Sequence, residues 1–89
     1  MRVVWSLSAL RDIRHIYSYI AGFNRRAAED LVHELIAAGD SLETFPQRGR
    51  PIPGTSLREW ALVDPYIIRY RIAGDLVRIL RVRQGMRRS

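Results

Sequence analysis

The residues in this chain most able to do chemistry are arginines placed at alternate positions. Arg69 and Arg71 lie in the run 66–72, YIIRYRI, and Arg81 and Arg83 in the run 76–83, LVRILRVR. A guanidinium is planar, permanently charged and forked, so it grips phosphate or carboxylate through paired donors. It accepts no proton at working pH, so arginines alone bind anions or steady developing charge without acting as a base. Arg58 and Arg87 flank these runs and complete the candidate binding set: Arg58, Arg69, Arg71, Arg81, Arg83 and Arg87. No catalytic residue is assigned. His15 and His33 fall on polar helix faces without ligand spacing, so no metal site is expected. Glu59, Asp64 and Asp75 are scattered, and no Gly-rich phosphate loop follows a strand. No cofactor is expected.

The elements that position the arginines follow from periodicity. Val63-Asp64-Pro65-Tyr66 reads as a turn because Pro65 fixes its φ and has no N–H to donate. Ala73-Gly74-Asp75 reads as a second turn, with Gly74 free to take positive φ. Three strands of an antiparallel meander result: 58–63, 66–72 and 76–83. Side chains alternate along a strand, so Tyr66, Ile68, Tyr70 and Ile72 share one face, and Ile67, Arg69 and Arg71 the other. Matching Leu80 and Val82 to the apolar face sends Arg81 and Arg83 to the same side as Arg69 and Arg71. It also sends Val77 and Ile79 there, and leaves Leu76 and Arg78 with the core.

Upstream, Arg2–Trp5 is a short β-branched and aromatic run that predicts a strand. Ser6 or Ser8 caps a helix whose apolar stripe is Leu7, Leu10, Ile13, Tyr17 and Ile20, with Arg11, Asp12, Arg14, His15 and Ser18 on the wet side. Gly22 ends it. Asn24 caps a second helix, with Phe23 as a staple against Ala28 and a stripe of Ala28, Leu31, Val32, Leu35, Ile36, Leu42 and Phe45. Gly39 interrupts that helix and permits close approach of the sheet or the first helix. Pro46 stops it and opens a stiff loop, PQRGRPIPGTS. The tail from Gly85 reads as exposed. The expected core is Val4, Leu10, Ile13, Tyr17, Ile20, Leu31, Leu35, Leu42, Ile68, Tyr70, Leu80 and Val82.

Eighty-nine residues suit a single domain, 1–89. The absence of cysteine excludes disulfides and thiolate chemistry. No run is long enough to span a membrane or serve as a signal peptide, so a cytoplasmic location without membrane contact is expected. The charge of +6 is uneven: residues 1–45 hold five Arg against six acids, and residues 46–89 hold ten Arg against three. A basic half implies an acidic partner.

The order of these signals resembles a known family. Trp5-Ser6, Ala9, Asp12-Ile13, Ile16 and Tyr19-Ile20 look like the start of a ParE toxin. Asn24, Ala27-Ala28, Phe45-Pro46, Gly49-Arg50, Arg58-Glu59, Pro65-Tyr66, Ile68, Tyr70, Val82, Gly85 and Arg87 continue the match along nearly the whole chain. The resemblance implies the RelE/ParE superfamily of toxin–antitoxin modules. It implies an α+β fold of order β-α-α-β-β-β, a helical hairpin packed on a twisted antiparallel sheet. It implies a toxin that inhibits DNA gyrase and is neutralised by a ParD-like antitoxin, with DNA touched only through that antitoxin. The alternative is a RelE-like, ribosome-dependent mRNA endonuclease. Where RelE-like chains often carry Arg after the tyrosine, this one has Ile67; no Tyr or His follows Gly85, and Gln84 stands where many ParE-like chains have His. These departures favour inhibition over cleavage.

Overall fold

A computed structural model describes residues 1–61 and 63–85. The chain runs β1 (Arg2–Trp5), α1 (Leu7–Ala21), α2 (Arg25–Asp40), a 3-10 turn (Ser41–Glu43), β2 (Arg50–Pro51), β3 (Leu57–Trp60), β4 (Tyr66–Ala73) and β5 (Leu76–Gln84). The sheet order is β1-β5-β4-β3-β2. β1 lies parallel to β5 and the other pairs are antiparallel. The expected α+β order is therefore present, with the sheet mixed and with a two-residue strand, β2, formed inside the proline-rich loop. The tail beyond Gly85, Arg87 included, and Leu62 of the expected strand 58–63 lie outside the described residues.

Both helices begin as the sequence predicts. Ser6 Oγ accepts from the Ala9 N–H at 3.0 Å, and Asn24 Oδ1 from the Ala27 N–H at 3.0 Å. Phe23 does not staple onto Ala28; it is exposed and meets Tyr19 edge-on, with ring centroids 5.3 Å apart. The α2 helix ends at Asp40 and passes into the 3-10 turn, so Phe45 leaves the apolar stripe and is exposed.

The hairpin packs on one face of the sheet. Ala9, Ile13, Leu35, Ala38 and Leu42 meet Ile68, Tyr70, Val77, Ile79 and Val82 in the core. Gly39 belongs here for a steric reason: a Cβ on it would lie 2.6 Å from Cη2 of Trp5 and 2.9 Å from Cδ1 of Ile79. The indole Nε1 of Trp5 then reaches Asp40 Oδ1 at 2.9 Å.

Val4, expected in the core, pairs with exposed Arg78, while Val3 and Trp5 on either side of it pack against the core, so Val4 lies on the other face of the sheet. Two further expectations about the core are corrected. First, Leu10 is 47% exposed. α1 presents Ala9 and Ile13 to the sheet, with Ile16 packed beside them. The rotation is fixed by Asp12, expected on the wet side, which instead bonds to β5. Residues two apart are about 200° apart round a helix, so Leu10 is turned outward. Second, Val77 and Ile79 are fully buried. The β4–β5 ladder pairs Arg69 with Arg81 but Tyr70 with Ile79, so Leu80 is an inserted residue, a β-bulge. The bulge shifts the alternation by one: Val77 and Ile79 before it and Val82 after it all reach the core, while Arg78 is exposed and Leu80 half-buried.

Candidate functional site

The face of the sheet away from the hairpin carries a group of arginines. Its rows follow from the register. Val4, Arg78, Arg71 and Leu57 form one row across β1, β5, β4 and β3. Arg81, Arg69, Glu59 and Arg50 form the next, and Ile67 with Arg83 the row after.

The six arginines expected to act together divide by what holds them. Arg81 grips Asp12 of α1 with both prongs, Nε to Oδ2 at 2.8 Å and Nη2 to Oδ1 at 3.0 Å. Asp12 Oδ2 also accepts the Val82 N–H at 2.8 Å, and Ser6 Oγ donates to the Leu80 carbonyl at 3.0 Å. The side chains of the β1–α1 junction thus take over the edge of β5 where β1 ends at its pairing of Trp5 with Ile79. Burial opposes the charge on Asp12, but the bonds from Arg81 and Val82 and the nearby charges of Arg81 and Arg83 outweigh it, holding the carboxyl below its ordinary range. The bond to Asp12 and its charge raise the Arg81 guanidinium above its own ordinary value.

Arg58 is also committed. Its Nη1 donates to the Gly49 carbonyl at 2.7 Å and the Gln47 carbonyl at 3.3 Å, strapping the proline-rich loop. The same loop is held from inside by Tyr70, whose hydroxyl donates to the Pro46 carbonyl at 2.6 Å and accepts the Gly49 N–H at 2.9 Å. Burial pushes the Tyr70 hydroxyl pKa up, against the pull of the Gly49 bond and of the Arg58 and Arg48 charges. Arg69 binds Glu59, with Nε 3.0 Å from Oε2, and Arg50 approaches the other oxygen at 3.7 Å.

Arg71 and Arg83 remain, both exposed and with no carboxylate within ion-pair distance among the described residues. The sixth, Arg87, lies outside the described residues. Besides Arg50 beside Glu59 and Arg2 beside Leu76, the structure adds Arg78 and Arg48 to the six expected arginines. Arg78, placed with the core from the sequence, is exposed directly across from Arg71. Arg48 lies 4.7 Å from the ring centroids of both Phe45 and Trp60. Neither could be placed without the bulge and the fold of the loop. A cleft of about 450 Å³ opens beside Arg83, lined by Glu59, Ile67, Arg69, Arg83, Gln84 and Gly85. Among the described residues no cluster of three or more His, Asp or Glu could hold a metal, and no helix is long and apolar enough to cross a membrane.

Residues 3–88 match the model of the family described as ParE toxin of type II toxin-antitoxin system, parDE. The chain belongs to the ParE toxin family. It is 44% identical to Toxin RelE2 of Caulobacter vibrioides over 86 residues, covering 97% of each chain. It is 44% identical to the putative toxin Y4kP of Sinorhizobium fredii over 76 residues, covering 84% of this chain and 79% of the relative. A solved structure of a chromosomal ParDE TA system from P. aeruginosa superposes with a TM-score of 0.85, covering 97% of each chain at 23% identity, a likeness of fold. This ParE-family chain is thus a toxin of a type II toxin–antitoxin system, built as two helices on a five-stranded mixed sheet.

Proposed function

We propose that this toxin works in the cytoplasm by docking on a protein target, DNA gyrase, and is neutralised by a ParD-like antitoxin through which alone it touches DNA. One observation carries the reading: the carboxylate on the open face is already engaged. Cleavage of RNA needs a group to take the 2′-OH proton, one to steady the phosphorane and one to protonate the leaving oxygen. The arginines suit the middle role. Glu59 stands in the rows of that face, and its oxygens are held by Arg69 and Arg50. Tyr70 is buried with its hydroxyl bonded on both sides, and His15 and His33 are exposed on the helices. The face is better equipped to bind than to cut.

The test is expression of the toxin without antitoxin, followed by assays for gyrase-dependent DNA breaks and for ribosome-dependent mRNA cleavage. Gyrase-dependent breaks with intact mRNA are expected. Ribosome-bound mRNA cut at defined positions, with the cutting abolished in Glu59→Gln, would overturn the reading and place the chain with the RelE-like nucleases.

A further inference from the structure

We propose that the open face takes an acidic, partly apolar segment of a protein partner, with a carboxylate seated between Arg71 and Arg78, and that Glu59 keeps nucleic acid off the same face. This rests on the reading of the chain as a toxin that docks on protein.

Arg71 and Arg78 are direct partners across β4 and β5, so their Cβ atoms lie about 4.5–5.5 Å apart. Both are exposed, and neither has a carboxylate partner among the described residues. Like charges set opposite one another repel, and an anion between them relieves the repulsion. Two guanidinium forks facing one position can hold one carboxylate through paired N–H···O bonds.

The neighbours decide which anion fits. Val4 flanks Arg78 and Leu57 flanks Arg71 in the same row, both half-buried. Arg2, Leu76 and Ala73 form the next row toward one end, and Arg81, Arg69 and Glu59 the next toward the other, where Arg81 is bound to Asp12 and Arg69 to Glu59. A nucleic-acid backbone is tracked by a continuous cationic groove, and its bases are held on aromatic faces. Here apolar side chains and a carboxylate interrupt the cations. The residues of these rows, from Arg50 and Leu57 to Leu76 and Arg83, include no aromatic. Glu59 would repel a phosphate placed over the centre and already occupies Arg69. A polypeptide carrying both acids and aliphatic residues matches the charges and the apolar border together.

The experiment is fluorescence anisotropy at one fixed salt concentration with two labelled probes: a peptide alternating Glu and Leu, and an oligouridine of equal charge. Wild-type toxin should bind the peptide at least about tenfold more tightly than the RNA. The Arg71→Ala/Arg78→Ala double variant should lose at least about tenfold in peptide affinity with an unchanged melting temperature, while Arg14→Ala on α1 binds like wild type. Glu59→Gln should raise RNA affinity several-fold and leave peptide affinity close to wild type. RNA bound as tightly as peptide by wild type, or peptide bound normally by the double variant, would overturn the proposal. A parallel gyrase assay separates the two readings. Peptide binding that depends on Arg71 and Arg78, in a toxin that does not poison gyrase, removes gyrase as the target and supports the peptide site.

Discussion

Arg78 and Arg81 lie three residues apart on one strand and serve opposite ends. Arg81 sits just past the bulge, where β5 has run beyond β1, and Asp12 of α1 meets it with both carboxylate oxygens. Arg78 sits before the bulge, where β1 and β4 satisfy its backbone and its side chain faces Arg71 in solvent. The difference lies in what the fold delivers to each. An arginine joined to a half-buried carboxylate that also caps a strand edge becomes structure, because the carboxylate is fixed by the Val82 N–H as well and holds the guanidinium with both oxygens. Arg81 also faces an arginine, Arg69, across the ladder, but each of those two has a carboxylate of its own, Asp12 and Glu59, whereas Arg78 and Arg71 face one another with no carboxylate partner among the described residues.

The largest test of that contrast is Asp12→Ala. It leaves the part-buried Val82 N–H without its acceptor and should cost about 1–3 kcal/mol, read from the urea midpoint. Arg81→Ala should cost less, because Asp12 keeps the Val82 bond. An Asp12→Ala protein as stable as wild type would erase the distinction between the two arginines. Next in size is Tyr70→Phe, which removes the bond to Pro46 and leaves the Gly49 N–H unpaired against a ring. A loss of about 1–2 kcal/mol is expected in thermal melts.

A smaller effect should appear with acid. Because the folded carboxyl of Asp12 titrates below its ordinary value of 3.8, the stability it contributes is present above that value and is lost as pH falls through the folded pKa. The stability gap between wild type and Asp12→Asn should therefore narrow as pH is lowered below about 4, measured by urea unfolding at stepped pH. A gap independent of pH would mean that the Asp12 carboxyl is not held below its ordinary range. The smallest effect is expected from Arg71→Ala, within about 0.5 kcal/mol and tending toward stabilisation as the repulsion with Arg78 is relieved. A loss several times larger would give Arg71 a structural role like that of Arg81.

Local signals were enough for much of this molecule. Ser6 and Asn24 cap their helices where the sequence places caps, Gly74 takes φ +63° in its turn, and Ile68 and Tyr70 alternate into the core. These features depend on neighbours a few residues away, and the chain carries that information directly. The motifs spread from Trp5 to Arg87 likewise sufficed for the family. What only the tertiary structure decided is the partner of each arginine and the parity of β5. Whether Leu80 is in step with its neighbours depends on how β1, α1 and β4 compete for the edges of β5, and no periodicity within LVRILRVR records an inserted residue. Asp12 and Arg81 are 69 residues apart. The helix rotation that buries Ala9 and exposes Leu10 goes with the long-range bonds of Asp12 to Arg81 and Val82 and with the burial of Ala9 and Ile13 against the sheet. Charge type was written in the sequence, but whether a charge is spent inside the fold or left for a partner depends on which carboxylates folding carries to it.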